Sequence, residues 1–177
     1  MKHTTIHTSK KLQAQIEKWV SGEKDMLSTG KLGKWNAQLF HLHRKKCWLV
    51  SNAFTKYNVI LPDVKASDMA DFSSIFKETF YGQLVYDGII TDYTQLEALI
   101  GQLHLMRTDN DRTTLSFQNQ RLQDMEYWKN EFLSFEDMPI KDLNHRMNKN
   151  YIKLIPSHKS SDYTTSIEEM GKLLSKA

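Results

Sequence analysis

The stretch from Trp35 to Pro62 constrains the fold more than any other part of the sequence. It places apolar, aromatic and β-branched residues in short runs, which are separated by the basic triplet Arg44-Lys45-Lys46 and by the segment Asn52-Ala53-Phe54-Thr55. Runs of this kind, bounded by polar turns, are typical of consecutive antiparallel strands. We therefore predict strands at about residues 35–43, 47–52 and 56–61, with Pro62 ending the sheet.

Outside this stretch, apolar residues recur at the spacing of three and four that is typical of amphipathic helices. Thr8 or Ser9 can cap a first helix, which carries Leu12 and Ile16 on one face. Further helices are predicted from Ser67, from Thr91 or Asp92, after Asp109-Asn110-Asp111, and over residues 140–147 and 166–174. Short strands are expected at residues 4–7 and 104–108. The pattern predicts an α+β fold, in which a small antiparallel sheet from the first half is covered on one face by helices from the second half.

The composition fits a single globular domain over residues 1–177. Hydrophobic residues make up 40% and charged residues 25% of the chain, which is long enough to bury a core. The sequence has no run of about 18 apolar residues that could span a bilayer. Its first residues lack the apolar core of a signal peptide. We therefore predict a cytoplasmic protein without a membrane segment.

Charge is distributed unevenly along the chain. Residues 1–65 carry twelve basic and four acidic side chains, a net charge of +8, so residues 66–177 carry −5 of the total of +3. A basic, strand-rich part (1–65) joined to an acidic, helical part (66–177) could present a positive surface to nucleic acid or to an acidic protein. The alternative is that the lysines only keep a sheet edge soluble and discourage pairing between edges.

One group of candidate binding residues lies near the start of a predicted helix. Arg112, Ser116 and Asn119 are separated by four and three residues, which places a guanidinium, a hydroxyl and an amide on one side of that helix. The N-terminal end of a helix attracts anions, so this group could bind a phosphate. The alternative is a polar stripe in which Arg112 pairs with Asp109 or Asp111.

A second group of candidates lies around the predicted hairpin tip Arg44-Lys45-Lys46. Trp35, Phe40, Trp48 and Tyr57 flank this tip, and exposed aromatic side chains next to lysines can stack on unpaired bases. The alternative is that these aromatic residues belong to the core. With the two lysines that open the first helix, the candidate binding residues are Lys10, Lys11, Trp35, Arg44, Lys45, Lys46, Arg112, Ser116 and Asn119.

The sequence offers little sign of catalytic chemistry. His41 and His43 would project from one face of a strand and could bind a metal, but no third ligand and no cysteine pair accompany them. The chain contains no glycine-rich phosphate loop, no nucleophile elbow and no zinc-protease motif. We therefore predict no metal, no cofactor and no catalytic residue, and regard an enzyme as the less favoured hypothesis.

Four short segments lie in order between residue 3 and about residue 150. They are Thr8-Ser9-Lys10-Lys11-Leu12, Trp35-x-Ala37-x-Leu39-Phe40 leading to Arg44-Lys45-Lys46, Asn52-x-x-Thr55-x-Tyr57-x-Val59-Ile60-Leu61-Pro62, and Asp111-Arg112-x-x-Leu115-Ser116-x-x-Asn119. Together they resemble a family of small bacterial proteins that is known only as a domain of unknown function. At Ser116 that family more often has glycine. The resemblance implies a shared fold but no known activity, so it assigns no catalytic residue.

Three functional hypotheses follow from the sequence. The favoured one is a cytoplasmic binding module, acting on nucleic acid or on an acidic protein in a bacterial or mobile-element context. The second is an enzyme with an unfamiliar, phosphate-recognising site around Arg112 and Asn119. The third is a neutralising or interaction subunit of a mobile-element or defence system, whose interface includes the glycine-containing segment 21–34.

Overall fold

A computed structural model describes residues 2–23, 26–89, 91–155 and 159–176. Its main sheet has five strands in the order β4-β3-β2-β1-β5, and a smaller antiparallel sheet pairs β6 with β7. The α+β prediction is confirmed. The strands are β1 (His3–Thr8), β2 (Trp35–Leu42), β3 (Lys45–Asn52), β4 (Asn58–Leu61), β5 (Gln102–Met106), β6 (Tyr151–Lys153) and β7 (Tyr163–Thr165).

The helices begin close to the predicted caps. Ser9, Asp92, Asp111 and Thr165 each accept a backbone N–H in the first turn of the helix that follows. The helix predicted from Ser67 begins instead as a short 3-10 segment, Ala66–Asp71. No helix within the described ranges is long and apolar enough to cross a membrane. The α-helices are α1 (Lys10–Ile16), α2 (Phe72–Tyr86), α3 (Tyr93–Ile100), α4 (Arg112–Trp128), α5 (Ile140–Lys149) and α6 (Ser166–Ser175).

The sheet is mixed rather than antiparallel. β2, β3 and β4 form the predicted antiparallel meander. β1, however, runs parallel to both of its neighbours, with Ile6 opposite Trp35 of β2 and opposite Leu105 of β5. The antiparallel prediction is therefore wrong for β1 and β5. The physical reason is the connection: β1 reaches β2 only after α1 and a long segment, and a crossover of that length joins parallel strands.

The hairpin between β2 and β3 turns earlier than predicted. Leu42 pairs with Lys45, which leaves His43 and Arg44 as a two-residue loop. Both loop residues have positive φ, 42° and 70°, as in the turn that suits the twist of a tight hairpin. Lys45 and Lys46 consequently belong to β3 and not to the tip.

Helices cover both faces of the main sheet, which corrects the prediction of one covered face. On one face, α1, α2, α3 and α6 pack over Trp35, Ala37 and Leu39 of β2. On the other face, α4 and α5 pack over Phe40 and Leu42. Side chains alternate between the faces of a strand, so nearly every residue of β2 and β3 is at least partly buried.

Helix α5 also closes the outer edge of the sheet. The side-chain oxygen of Asn144 accepts the N–H of Ile60 (2.7 Å), and that of Asn148 accepts the N–H of Asn58 (2.8 Å). Both amide groups donate back to the carbonyl of Asn58. These two asparagines therefore occupy the backbone groups of β4 that another strand would otherwise pair with.

Candidate functional site

A cleft opens at the carboxyl ends of the neighbouring parallel strands β1 and β5. β1 leads into α1 on one face of the sheet, whereas β5 leads through residues 107–111 into α4 on the other face. Adjacent parallel strands whose helices leave toward opposite faces create a crevice, which is the usual position of ligand sites in open sheets. Here the crevice has a volume of about 730 Å³.

The loop that precedes α4 is held in place by Lys34. The ammonium of Lys34 lies 2.5 Å from a carboxylate oxygen of Asp109 and 3.2 Å from one of Asp111. Asp109 also accepts the side-chain N–H of Asn36 (2.9 Å), and Asp111 caps α4 by accepting the N–H of Thr114 (3.0 Å). Both carboxylates of this loop are therefore bound by one ammonium group, which precedes β2.

These contacts lower the pKa of both carboxylates in the loop. Burial by itself would raise the pKa of Asp111, but the N–H and hydroxyl of Thr114 together with Lys34 lower it to about 2. The pKa of Asp109 is lowered as well, since Lys34 and the N–H of Asp111 outweigh burial. The two groups consequently stay ionised throughout the neutral and mildly acidic range.

Acid should weaken the fold through Asp111. A carboxyl with a lowered folded-state pKa stabilises the protein above its unfolded value of 3.8, and that contribution disappears as the pH falls through about 2. We expect a loss of about 1 kcal/mol in the free energy of unfolding, reduced by solvent screening. Urea unfolding should show that the free energy of unfolding decreases less between pH 6 and pH 2 for Asp111→Asn, which retains a helix cap, than for the original protein. Equal decreases in the two proteins would contradict this assignment.

Three cations line the cleft without an acidic partner. Lys10, Lys11 and Arg112 are exposed at its rim, and none forms an ion pair with any residue that the structure describes. The alternative in which Arg112 pairs with Asp109 or Asp111 is not the arrangement found, because Lys34 binds both carboxylates. With Lys34, four cations stand against two carboxylates, so the cleft carries a net positive charge.

A second cleft continues from the first along β2. It also has a volume of about 730 Å³, shares Lys11 and Leu39 with the first cleft, and extends to Arg44 at the hairpin. Leu122 of α4 and Lys129, which directly follows this helix, form its other side, and Lys129 is paired with Glu126. We call the two clefts together the β2 groove; it lies between the first turn of α1 and the length of α4.

The groove brings together several of the predicted binding residues. Lys10, Lys11 and Arg112 lie at the first cleft, and Arg44 lies at the second. Asn119 holds Gln38, which lines the first cleft, because the side-chain oxygen of Asn119 accepts the amide N–H of Gln38 (3.0 Å). The structure thus places five of the nine candidate residues in or beside the groove.

The other candidates lie elsewhere. Ser116 is exposed on α4 but does not line either cleft. Lys45 pairs with Asp63 (3.5 Å), and Lys46 borders a small separate cavity beside Trp48. Lys45 and Lys46 therefore belong to the hairpin strands but do not line the groove.

The aromatic residues of the hairpin belong to the core. Trp35 and Tyr57 are completely buried, and Trp48 and Phe40 nearly so. Trp35 packs edge-on against Phe80 at 5.0 Å between ring centres. A base-stacking role for these side chains, as the sequence allowed, therefore has no exposed ring to support it.

Sequence reasoning overlooked the polar wall of the groove. Asn36 and Gln38 face α4, and the side-chain oxygens Asn36 Oδ1 and Gln38 Oε1 are buried without a hydrogen-bond partner among the described residues. Their alternation with Ala37 was the available signal, since it separates a polar face from an apolar one. Unpaired buried acceptors are uncommon, and they lower stability unless a ligand or water binds them. Their presence in this wall is consistent with a binding role.

No metal cluster supports the histidines of the hairpin. Among residues 2–23, 26–89, 91–155 and 159–176, no group of three or more His, Cys, Asp or Glu side chains could hold an ion. His43 lies in the turn, outside the alternation of the strand, so it does not share a strand face with His41 as the sequence suggested.

Comparison with known proteins identifies a family but not a function. The family model of a domain of unknown function, DUF6933, matches residues 5–169. No curated protein and no solved structure matches the chain. Of the four segments that carry the resemblance seen in the sequence, the first, second and fourth contribute residues to the β2 groove. The match confirms that resemblance, and the chain belongs to the DUF6933 family of unknown function.

Proposed function

We propose that this protein is a binding module for an anionic partner, which it holds in the β2 groove. The observation that carries the proposal is the charge around the groove. Lys10, Lys11, Arg44 and Arg112 lie along it without ion pairs to described residues, whereas Lys34 binds both carboxylates of the loop before α4. The carboxylates of the groove, Asp109, Asp111 and Glu126, are bound by Lys34 and Lys129, so cations remain in excess. A concave surface with an excess of positive charge attracts anionic ligands.

Of the two partner classes suggested by the sequence, an acidic protein fits better than nucleic acid. Binding of single strands commonly uses exposed aromatic rings as stacking platforms, and the aromatics of the hairpin are buried. The groove instead exposes aliphatic surface, including Leu115, which is 40% exposed. Cations around an aliphatic floor suit a polypeptide that has both acidic and apolar side chains.

The test compares two variants that lose the same charge. We expect Lys10→Ala, Lys11→Ala and Arg112→Ala together to weaken binding of a fluorescent decapeptide of alternating Glu and Thr by about tenfold or more. The matched control replaces Lys2, Lys141 and Lys149, which are exposed outside the groove. Fluorescence anisotropy at low and moderate salt gives both affinities, with a single-stranded oligonucleotide as the competing probe.

Three results would argue against this proposal. Equal losses in the groove variant and the control would mean that only net charge matters. Tighter, salt-sensitive binding of the oligonucleotide through the same three cations would favour nucleic acid. If neither probe binds, the proposal that the β2 groove holds an anionic partner is wrong.

The position of the first cleft favours one alternative, a phosphate-recognising enzyme. Its crevice at the carboxyl ends of β1 and β5 is large enough for a small ligand, and Arg112 stands at the first turn of α4. Inorganic phosphate would then raise the melting temperature of the original protein but not that of Arg112→Ala. Unchanged melting in both proteins would set this alternative aside.

The proposed interaction surface at residues 21–34 has only partial structural support. Residues 24 and 25 of this segment lie outside the described residues. Ser28 and Thr29 are held against β1, because their hydroxyls accept the N–H groups of Thr5 and His3 (2.9 Å each). Ser28 and Thr29 therefore cover the edge of β1, and we favour the β2 groove as the surface for a partner.

A further inference from the structure

We infer that the acidic partner binds as an added strand on an uncovered edge of β2. β1 and β2 are staggered, and their pairing ends where Thr8 stands opposite Ala37. The last contact is the N–H of Ser9, which donates to the carbonyl of Ala37 (2.8 Å). β2 continues to Leu42, so residues 38–42, which we call the β2 overhang, have β3 on one side only.

The pairing with β3 determines which backbone groups of the overhang are free. The two-residue loop closes on the pair Leu42 and Lys45, so the N–H and C=O groups of Phe40 and Leu42 point toward β3. Those of Leu39 and His41 point the opposite way, toward the groove, where His41 is exposed and Leu39 is 5% exposed. No described residue donates to or accepts from these four groups.

The other overhang of the same strand pair is covered. Residues 3–5 of β1 extend past the start of β2, and there Ser28 and Thr29 bind the N–H groups of Thr5 and His3. The outer edge of β4 is likewise covered, by the asparagines of α5. Proteins usually protect free edges because they pair readily with other chains. The β2 overhang lacks this protection, which is the property expected of an edge used for binding.

The surroundings of the overhang define the chemistry of the partner. Lys11 lies beside it, with Arg112 toward one end and Arg44 toward the other, and Leu122 of α4 borders the floor. Five residues of strand span about 16 Å. We therefore expect an extended segment of another polypeptide with acidic side chains. This inference rests on the proposed function, because the same cations select the partner.

Hydrogen exchange tests the inference on the protein itself. In the free protein, the amides of Leu39 and His41, which lack acceptors, should exchange faster than those of Phe40 and Leu42, and His41 should be the faster of the two because Leu39 is largely buried. Addition of the Glu and Thr decapeptide should slow exchange at Leu39 and His41 by about tenfold or more, since their N–H groups then have partners. NMR resolves the four amides individually.

Changes in the backbone of probe and protein separate strand addition from attraction by charge. N-methylation of the four central residues of the decapeptide keeps its charge but removes N–H groups, and should weaken binding by about tenfold. His41→Pro removes one outward-facing N–H from an exposed position of β2, and should weaken binding more than His41→Ala, which loses the same side chain but keeps the N–H. Melting temperatures of both variants verify that they fold.

The outcomes distinguish strand addition on β2 from the broader proposal that the groove binds an anionic partner. Binding that depends on Lys10, Lys11 and Arg112, together with protection of Leu39 and His41, supports both. Binding that depends on the three cations but is unaffected by N-methylation, with exchange of both amides unchanged, overturns strand addition and leaves the anionic partner. Absence of peptide binding overturns both. If His41→Pro fails to fold, the methylated peptide and the exchange measurement still show whether the peptide binds as an added strand.

Discussion

Replacing Asp87 with alanine is expected to lower the free energy of unfolding by about 3–5 kcal/mol. The carboxylate is completely buried and accepts four hydrogen bonds. They come from the hydroxyl of Tyr57 (2.6 Å), the amide of Gln83 (2.9 Å), the ring of His145 (2.8 Å) and the amide of Asn148 (3.1 Å). The alanine variant would leave the Tyr57 hydroxyl and one N–H of each amide without this acceptor in a buried region, although Gln83 and Asn148 keep bonds to the carbonyls of Lys141 and Asn58. Each buried donor that loses its acceptor destabilises the fold.

The network also explains why the loss should be large. It joins Tyr57, the residue directly before β4, to the end of α2 and to α5, so one carboxylate links three parts of the fold. Burial and the neighbouring Asp87 raise the pKa of Tyr57, which keeps its hydroxyl protonated as a donor.

The control for this prediction is Asp142→Ala. Asp142 is 38% exposed and pairs with Arg146 on the surface, so its removal should change stability by at most about 1 kcal/mol. Urea unfolding followed by circular dichroism measures both variants. Similar small losses for Asp87→Ala and Asp142→Ala would show that the buried network does not hold these elements together.

Replacing Trp35 with alanine is expected to lower the free energy of unfolding by a similar amount, about 3–5 kcal/mol. Trp35 is 0% exposed and packs edge-on against Phe76 and Phe80 of α2, with ring centres 5.4 and 5.0 Å away. Alanine would leave a cavity between the sheet and this helix, and would remove two aromatic contacts.

Trp35→Phe separates packing from the polar part of the indole. The indole N–H is buried without a hydrogen-bond partner among the described residues, so its removal relieves an unfavourable burial. We expect a loss of only about 1–2 kcal/mol, measured by urea unfolding, because an aromatic ring remains. Peptide binding should be unchanged, since Trp35 does not line the groove. Weakened binding in a stably folded Trp35→Phe would instead restore Trp35 as a binding residue.

Local signals predicted much of the secondary structure. Asp92 and Asp111 cap helices at the expected places, because capping depends on residues within one turn. The strands of the meander were also found, since their apolar runs are separated by polar turns. The exact hairpin loop was missed by one or two residues, because a basic triplet does not reveal which two residues adopt positive φ.

The candidate site was predictable only in part. Lys10, Lys11 and Arg112 could be selected from the sequence as cations near helix starts. Their convergence could not, because it depends on the parallel pairing of β1 with β5, which lie about 100 residues apart in the chain. The partner of Asp109 and Asp111 was equally hidden, since Lys34 precedes β2 and reaches the loop only in the folded sheet.

The sequence by itself determined the α+β class, the helix caps, the meander and the family, since these depend on short-range patterns of apolar, capping and turn residues. Only the tertiary structure decided that β1 is parallel, that helices cover both faces, and that β2 extends past β1. A stagger between strands is a long-range register, set by how whole elements pack. That register leaves Leu39 and His41 unpaired beside Lys11, and so creates the groove.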